Sequence, residues 1–70
     1  MTLGQLLRAK RMELELTLDE VSQAAGISKS YLWEVEQGKS IPSIVICARL
    51  SIVLDLRISV MAATALRSDK

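Results

Sequence analysis

Thr17-Leu18-Asp19-Glu20 forms a Thr-x-x-Glu capping box, and Gly26 follows about two helical turns later. The Thr17 hydroxyl can accept from the Glu20 amide while the Glu20 carboxylate accepts from the Thr17 amide, so a helix is expected from Leu18 to about Ala25. Gly26 closes it. Ser28 can then cap a second helix through Tyr31, Leu32 and Val35, which Gln37-Gly38 ends. A turn of about three residues between two short helices leaves only a tight corner. Val21, Ala25, Ile27, Leu32 and Val35 supply its inward apolar positions. Ser22 is small where the helices would cross, and Gly26 sits where the chain must turn at positive φ.

The flanking segments read as three more helices. The first covers about Leu3 to Leu14, with Leu3, Leu6, Leu7, Met12 and Leu14 as candidate apolar positions and Gln5, Arg8, Lys10 and Arg11 on wetter ones. Ser43 can cap a fourth, which carries Ile44, Cys47, Ala48, Leu50 and Val53-Leu54 toward Asp55. A fifth runs from Arg57 to about Leu66, and Ser68-Asp69-Lys70 is expected to fray. The β-branched runs Ile44-Val45-Ile46 and Ile52-Val53 could pass locally for strand, but the caps on either side favour helix. The expectation is an all-α, five-helix domain spanning residues 1–70.

At 70 residues and 50% hydrophobic content, a single core only just outweighs chain entropy. One Cys and no His leave neither disulfide nor zinc site as a staple, so a second copy of the chain is the expected source of further buried area. Cys47, among Ile44, Val45, Ile46 and Ala48, reads as a small buried hydrophobe that suits a reducing cytoplasm. Met1-Thr2-Leu3-Gly4 has no basic region or apolar run of a signal peptide, and Arg49, Asp55 and Arg57 divide the apolar second half into runs too short for a membrane helix. No membrane contact is expected. A net charge of +1 is weak for a protein whose affinity would rest on phosphate neutralisation.

Leu18 to Val35, with Glu36-Gln37-Gly38-Lys39-Ser40-Ile41-Pro42-Ser43 after them, closely resembles the Cro/CI-type helix-turn-helix family of phage and bacterial regulators. The resemblance covers about Leu6 to Met61. Its most specific pieces are Ala25-Gly26-Ile27-Ser28, Tyr31-Leu32, Val35-Glu36-Gln37-Gly38-Lys39 and Pro42-Ser43. Membership implies a five-helix fold with the helix-turn-helix at about residues 17–37, a homodimer on a pseudo-palindromic operator, and the third helix laid in the major groove. Some positions depart from the pattern. Leu18 replaces a phosphate-touching Gln, Glu15 and Asp55 stand where Gly is common, and Val45 and Ile52 occupy positions that are commonly polar.

On that reading the head of the recognition helix faces base edges, which gives Ser28, Lys29, Ser30 and Glu34 as the base-contacting set. Lys29 can donate to guanine, Ser30 can donate or accept, Glu34 can accept from cytosine N4, and capping alone already explains Ser28. Phosphate contacts are expected from Lys39 and Ser40, from the Gln37 and Gly38 backbone amides, from Gln23 and from the Tyr31 hydroxyl. Arg8 and Lys10 are read equally well as phosphate contacts or as solvated surface. The resemblance implies an ion pair between Arg11 and Glu36. Trp33 is expected on the flank of the third helix, covering Pro42 and the fourth helix.

From Ile41 to Leu66, 18 of 26 residues are apolar, more than one pair of helical faces can bury. The resemblance places a two-fold axis at about residues 52–66, with Ile52, Leu56, Arg57, Ile58, Val60 and Met61 as the self-complementary patch. The resulting expectation is a cytoplasmic, sequence-specific regulator of transcription, a repressor or autoregulator, with double-stranded DNA, its own copy and other transcription proteins as partners. No cofactor, metal or small-molecule ligand is expected. An enzyme is disfavoured by the lack of histidine, of a Gly-rich phosphate loop and of a nucleophile with a base at useful spacing. The alternative is a protein-interaction module or antitoxin-like adaptor on the same scaffold, favoured by the near-zero charge and the excess apolar residues Val45, Ile52 and Val60.

Overall fold

Hydroxyl side chains start four of the five helices among the described residues. In the computed structural model, which describes residues 1–68, these are α1 (Leu3–Glu13), α2 (Leu18–Ala25), α3 (Lys29–Glu36), α4 (Ile44–Val53) and α5 (Ile58–Ser68). Thr17 caps α2 with the full box, its Oγ1 accepting from the Glu20 amide at 3.0 Å and its own amide donating to Glu20 Oε1 at 2.8 Å. Ser28 and Ser43 cap α3 and α4. Thr2 and Gln5 form a second, unanticipated box at the head of α1. Each cap satisfies amides that would otherwise have no acceptor, and is worth about 1 kcal/mol. Both β-branched runs lie within α4. Ser68 ends α5, and Asp69 and Lys70 lie outside the described residues.

The first four helices also stop in the same way. After each, one residue takes a left-handed conformation, at Glu15 (φ 57°), Gly26 (72°), Gly38 (79°) and Asp55 (51°). The next amide reaches back five residues, as in Leu16 to the Arg11 carbonyl (3.1 Å), Ile27 to Ser22 (2.9 Å), Lys39 to Glu34 (2.9 Å) and Leu56 to Ser51 (2.8 Å). These are Schellman motifs. Glycine fills two of the positions at no steric cost. Glu15 and Asp55 carry a Cβ there, at about 1 kcal/mol each, less for Asp.

The core is built from Leu7 of α1, Val21 and Ala25 of α2, Leu32 and Val35 of α3, Leu50 and Leu54 in and after α4, and Met61 of α5, all at most 2% exposed. Ser22 is buried with them, its hydroxyl donating to the Asp19 carbonyl at 3.1 Å. Three expectations change here. Arg11, placed on a wet face, is 8% exposed, because it follows Leu7 by one turn on the inward stripe. Met12 and Leu14, one and three positions beyond that stripe, are instead open to water. Met61, assigned to a surface patch, belongs to the core: α5 folds back over α1 and α4 and turns Met61 inward to join Leu50 and Leu54. Leu56 is partly drawn in as well, whereas Ile52, Arg57, Ile58 and Val60 stay exposed.

Gly4 was not singled out by the sequence, yet it fixes how α1 crosses α3. A Cβ at this position would run into the carbonyl oxygens of Val35 and Glu36. Cys47 is half-buried rather than sealed, with Sγ 3.9 Å from the Pro42 carbonyl, and burial pushes its thiol pKa up.

Candidate nucleic-acid interface

α3 divides sharply along its length. Leu32, Val35 and Glu36 face the interior, and Lys29, Ser30, Trp33 and Glu34 face out. The outward four fall at i, i+1, i+4 and i+5, the spacing of one helical face. Ser28 stands at the head of this face, its Oγ accepting from the Tyr31 amide at 3.0 Å. That oxygen still has its own proton to donate outward.

The loop after α3 folds back along the same face. Ser40 Oγ donates to Glu34 Oε1 at 3.3 Å, and Lys39 Nζ lies 4.9 Å from the centroid of the Trp33 ring. Two expectations are corrected by this arrangement. Trp33 does not reach over Pro42 and α4. It stands 43% exposed, and with Leu18, Lys29, Ser30 and Glu34 it lines a shallow depression on the outer surface. Its place in the helix puts it one turn after Lys29 and Ser30, on their side. The Gln37 and Gly38 amides are likewise not open donors, because they close the end of α3 onto the Trp33 (2.9 Å) and Val35 (3.1 Å) carbonyls.

The remaining residues named for phosphate contact are spread around the α3 face. Gln23 is exposed near the end of α2, Tyr31 is half-buried at the α2–α3 corner, and Lys39 and Ser40 are reached through the loop. Arg8 is exposed, and Lys10 is held by Glu13 at 3.2 Å along α1.

Behind the face, Arg11 and Glu36 meet. Arg11 Nε donates to Glu36 Oε2 at 2.7 Å and Nη2 to Oε1 at 3.0 Å, while Nη1 donates to the Leu16 carbonyl at 3.0 Å. The hydrogen bond to Glu36 raises the Arg11 pKa above its ordinary value, against the burial that would lower it. The pair takes the Glu36 charge out of the reckoning at the end of α3. What faces outward is then Lys29 and Lys39 against Glu34, a local excess of positive charge at the α3 face.

Among the described residues no group of His, Cys, Asp and Glu is placed to hold a metal ion. No helix there is long and apolar enough to cross a membrane.

Residues 7–61 match the family model HTH_3, described as helix-turn-helix. The chain is 34% identical over 65 residues to the ImmF control region 10 kDa protein of Bacillus phage phi105, an alignment covering 93% of this chain and 72% of that protein. It is 39% identical over 62 residues to the transcriptional regulator ClgR of Mycobacterium tuberculosis, covering 89% of this chain but only 55% of ClgR. In structure it superposes on the biofilm master regulator SinR, solved in complex with DNA, with a TM-score of 0.82 and 32% identity over 87% of this chain and 98% of that one.

Proposed function

We propose that the chain, which belongs to the helix-turn-helix family HTH_3 and is similar to the transcriptional regulator ClgR and to the DNA-bound master regulator SinR, is a DNA-binding transcriptional regulator that works as a homodimer on a pseudo-palindromic operator, as a repressor or autoregulator in the cytoplasm. The observation that carries this reading is the outward face of α3, where Lys29, Ser30 and Glu34 project together from a capped helix whose other side is locked into the core. A helix so mounted can enter the major groove head first, with Lys29 donating to guanine O6 or N7, Ser30 donating or accepting, Glu34 accepting from cytosine N4 and Ser28 at the rim. Lys39, Ser40, Gln23 and the Tyr31 hydroxyl flank that face and would contact phosphates, fixing register without reading sequence.

Two recognition helices must sit about 34 Å apart to read half-sites one turn of duplex apart. The surface proposed to hold them so is Ile52, Arg57, Ile58 and Val60, with Leu56 at its inner edge. Ile52 is 81% exposed and Ile58 and Val60 more than 40%, a row of apolar groups that association would remove from water. Selection of binding sites from random duplex tests the whole reading. An inverted repeat is expected, and enrichment of nothing above background would refute it. The same exposed surface favours a second reading, a hetero-partner docked there, which predicts a chain that stays monomeric alone.

A further inference from the structure

Trp33 stands on the outer side of α3, away from the buried core residues of the same helix. Its ring leaves the core to Leu32 and Val35 on the inner side of the helix and remains 43% exposed, and among the described residues nothing accepts a hydrogen bond from its indole N–H. Its surroundings are those of the reading face. Lys29, Ser30 and Glu34 share its depression, half-buried Leu18 lines the depression from the head of α2, and Lys39 Nζ steadies the ring at 4.9 Å. Leu18 has no hydrogen-bonding group to offer a phosphate, but it gives the indole an apolar backing.

Within this face Lys29, Ser30 and Glu34 supply donors and acceptors, and Trp33 with Leu18 supplies an apolar wall. The edges of base pairs in the major groove present donors, acceptors and a single apolar group, the C5-methyl of thymine. An acceptor or donor pressed against the wall would lose water without gaining a partner. A methyl group loses nothing. We infer that Trp33, backed by Leu18, is a specificity-determining residue that selects thymine by packing against its methyl, beside the bases met by Lys29 and Glu34. The inference rests on the proposed insertion of α3 into the major groove.

The test removes only the methyl. On the best duplex from site selection, each thymine of one half-site is replaced in turn by deoxyuracil, and binding of the full chain is measured. One replacement is expected to weaken binding about fourfold, the worth of one buried methyl-sized group, and Trp33→Ser is expected to bind the thymine and uracil duplexes equally. A Trp33→Ser protein that keeps the fourfold preference overturns the inference, as does a wild type indifferent to every uracil. A second measurement needs no variant: 5-iodouracil at the sensitive position, irradiated in the complex, is expected to join to Trp33, and adducts mapping to Tyr31 or Ser30 instead overturn it. Failure of the underlying reading looks different, because then no specific duplex emerges from the selection at all, and both proposals fall together.

Discussion

Arg11 and Glu36, 25 residues apart, face each other as fork and carboxylate through two parallel hydrogen bonds of 2.7 and 3.0 Å, with their side chains 10% and 2% exposed. The third nitrogen holds the Leu16 carbonyl, so one guanidinium ties α1, the loop after it and the last residue of α3. Removing either partner strands a charge in the interior. Arg11→Ala or Glu36→Ala is expected to cost about 3 to 5 kcal/mol, a large part of the stability of a domain this small. Arg11→Met with Glu36→Leu is expected to regain most of it, as urea unfolding can show. The Arg11 pKa is raised in the folded state, so its contribution is complete below the ordinary guanidinium range and is lost only as pH rises beyond it. Stability across neutral and mildly alkaline pH is therefore expected not to fall through Arg11.

Gly4→Ala sets two effects against each other. Alanine favours an exposed helix by about 1 kcal/mol over glycine, but here its methyl meets the Val35 and Glu36 carbonyls, and forcing α1 away from α3 costs about 1 to 3 kcal/mol. A net loss is expected in thermal unfolding. A higher melting temperature would mean that the two helices are not in close contact at this point.

Lys29 and Lys39 are both exposed lysines at the α3 face, and the proposed roles separate them. Lys29→Ala is expected to cost about 1 to 3 kcal/mol on the selected site and to relax preference at one position, whereas Lys39→Ala weakens all duplexes alike and lowers the salt slope by about 1. Glu34→Gln is expected to change which base is preferred. Equal losses on selected and random duplex for both lysine variants would remove the distinction.

Ile58→Asp and Met61→Asp test the difference between surface and core. Ile58 is 42% exposed and Met61 2%. The first substitution is expected to give a folded monomer with poor operator affinity, read by sedimentation and circular dichroism together. The second is expected to unfold the chain by burying a carboxylate without a partner. A wild type that sediments as a monomer, with undiminished cooperative binding in Ile58→Asp, would favour a hetero-partner at this surface.

Burial raises the Cys47 thiol pKa, so less thiolate is present at neutral pH than in the unfolded chain. Alkylation of the native protein is expected to be slower than that of the denatured protein. Stability drawn from the neutral thiol is present below the ordinary thiol range and is lost as pH rises through the raised folded value, so Cys47→Ala is expected to flatten alkaline unfolding.

The helices were legible because caps are local: Thr17 with Glu20, Ser28 and Ser43 bond within three residues of themselves, and the glycine stops act over five or six. Glu15 and Asp55 were legible as departures from a family pattern, and the structure shows the left-handed backbone that makes them so. Thr2-Leu3-Gly4-Gln5 carried the same kind of signal as Thr17 to Glu20 and could have been read from it. Gly4, Trp33 and Met61 were harder. Each depends on how one helix is rotated against another, and a periodicity that offers two acceptable stripes, as in the apolar second half, does not say which of them turns inward. The Gln37 and Gly38 amides required knowing that the helix end would use them.

The division of α3 has a consequence for how such a protein can change over generations. Lys29, Ser30, Trp33 and Glu34 stand outside the core, while Leu32, Val35 and Glu36 beside them hold the fold. Surface replacements away from caps and cores usually shift stability by no more than about 0.5 kcal/mol. On the proposed reading a lineage could therefore rewrite the recognised sequence one residue at a time, each intermediate still folded, because, the capping Ser28 aside, the side chains proposed to read and those that fold share a helix but not a position.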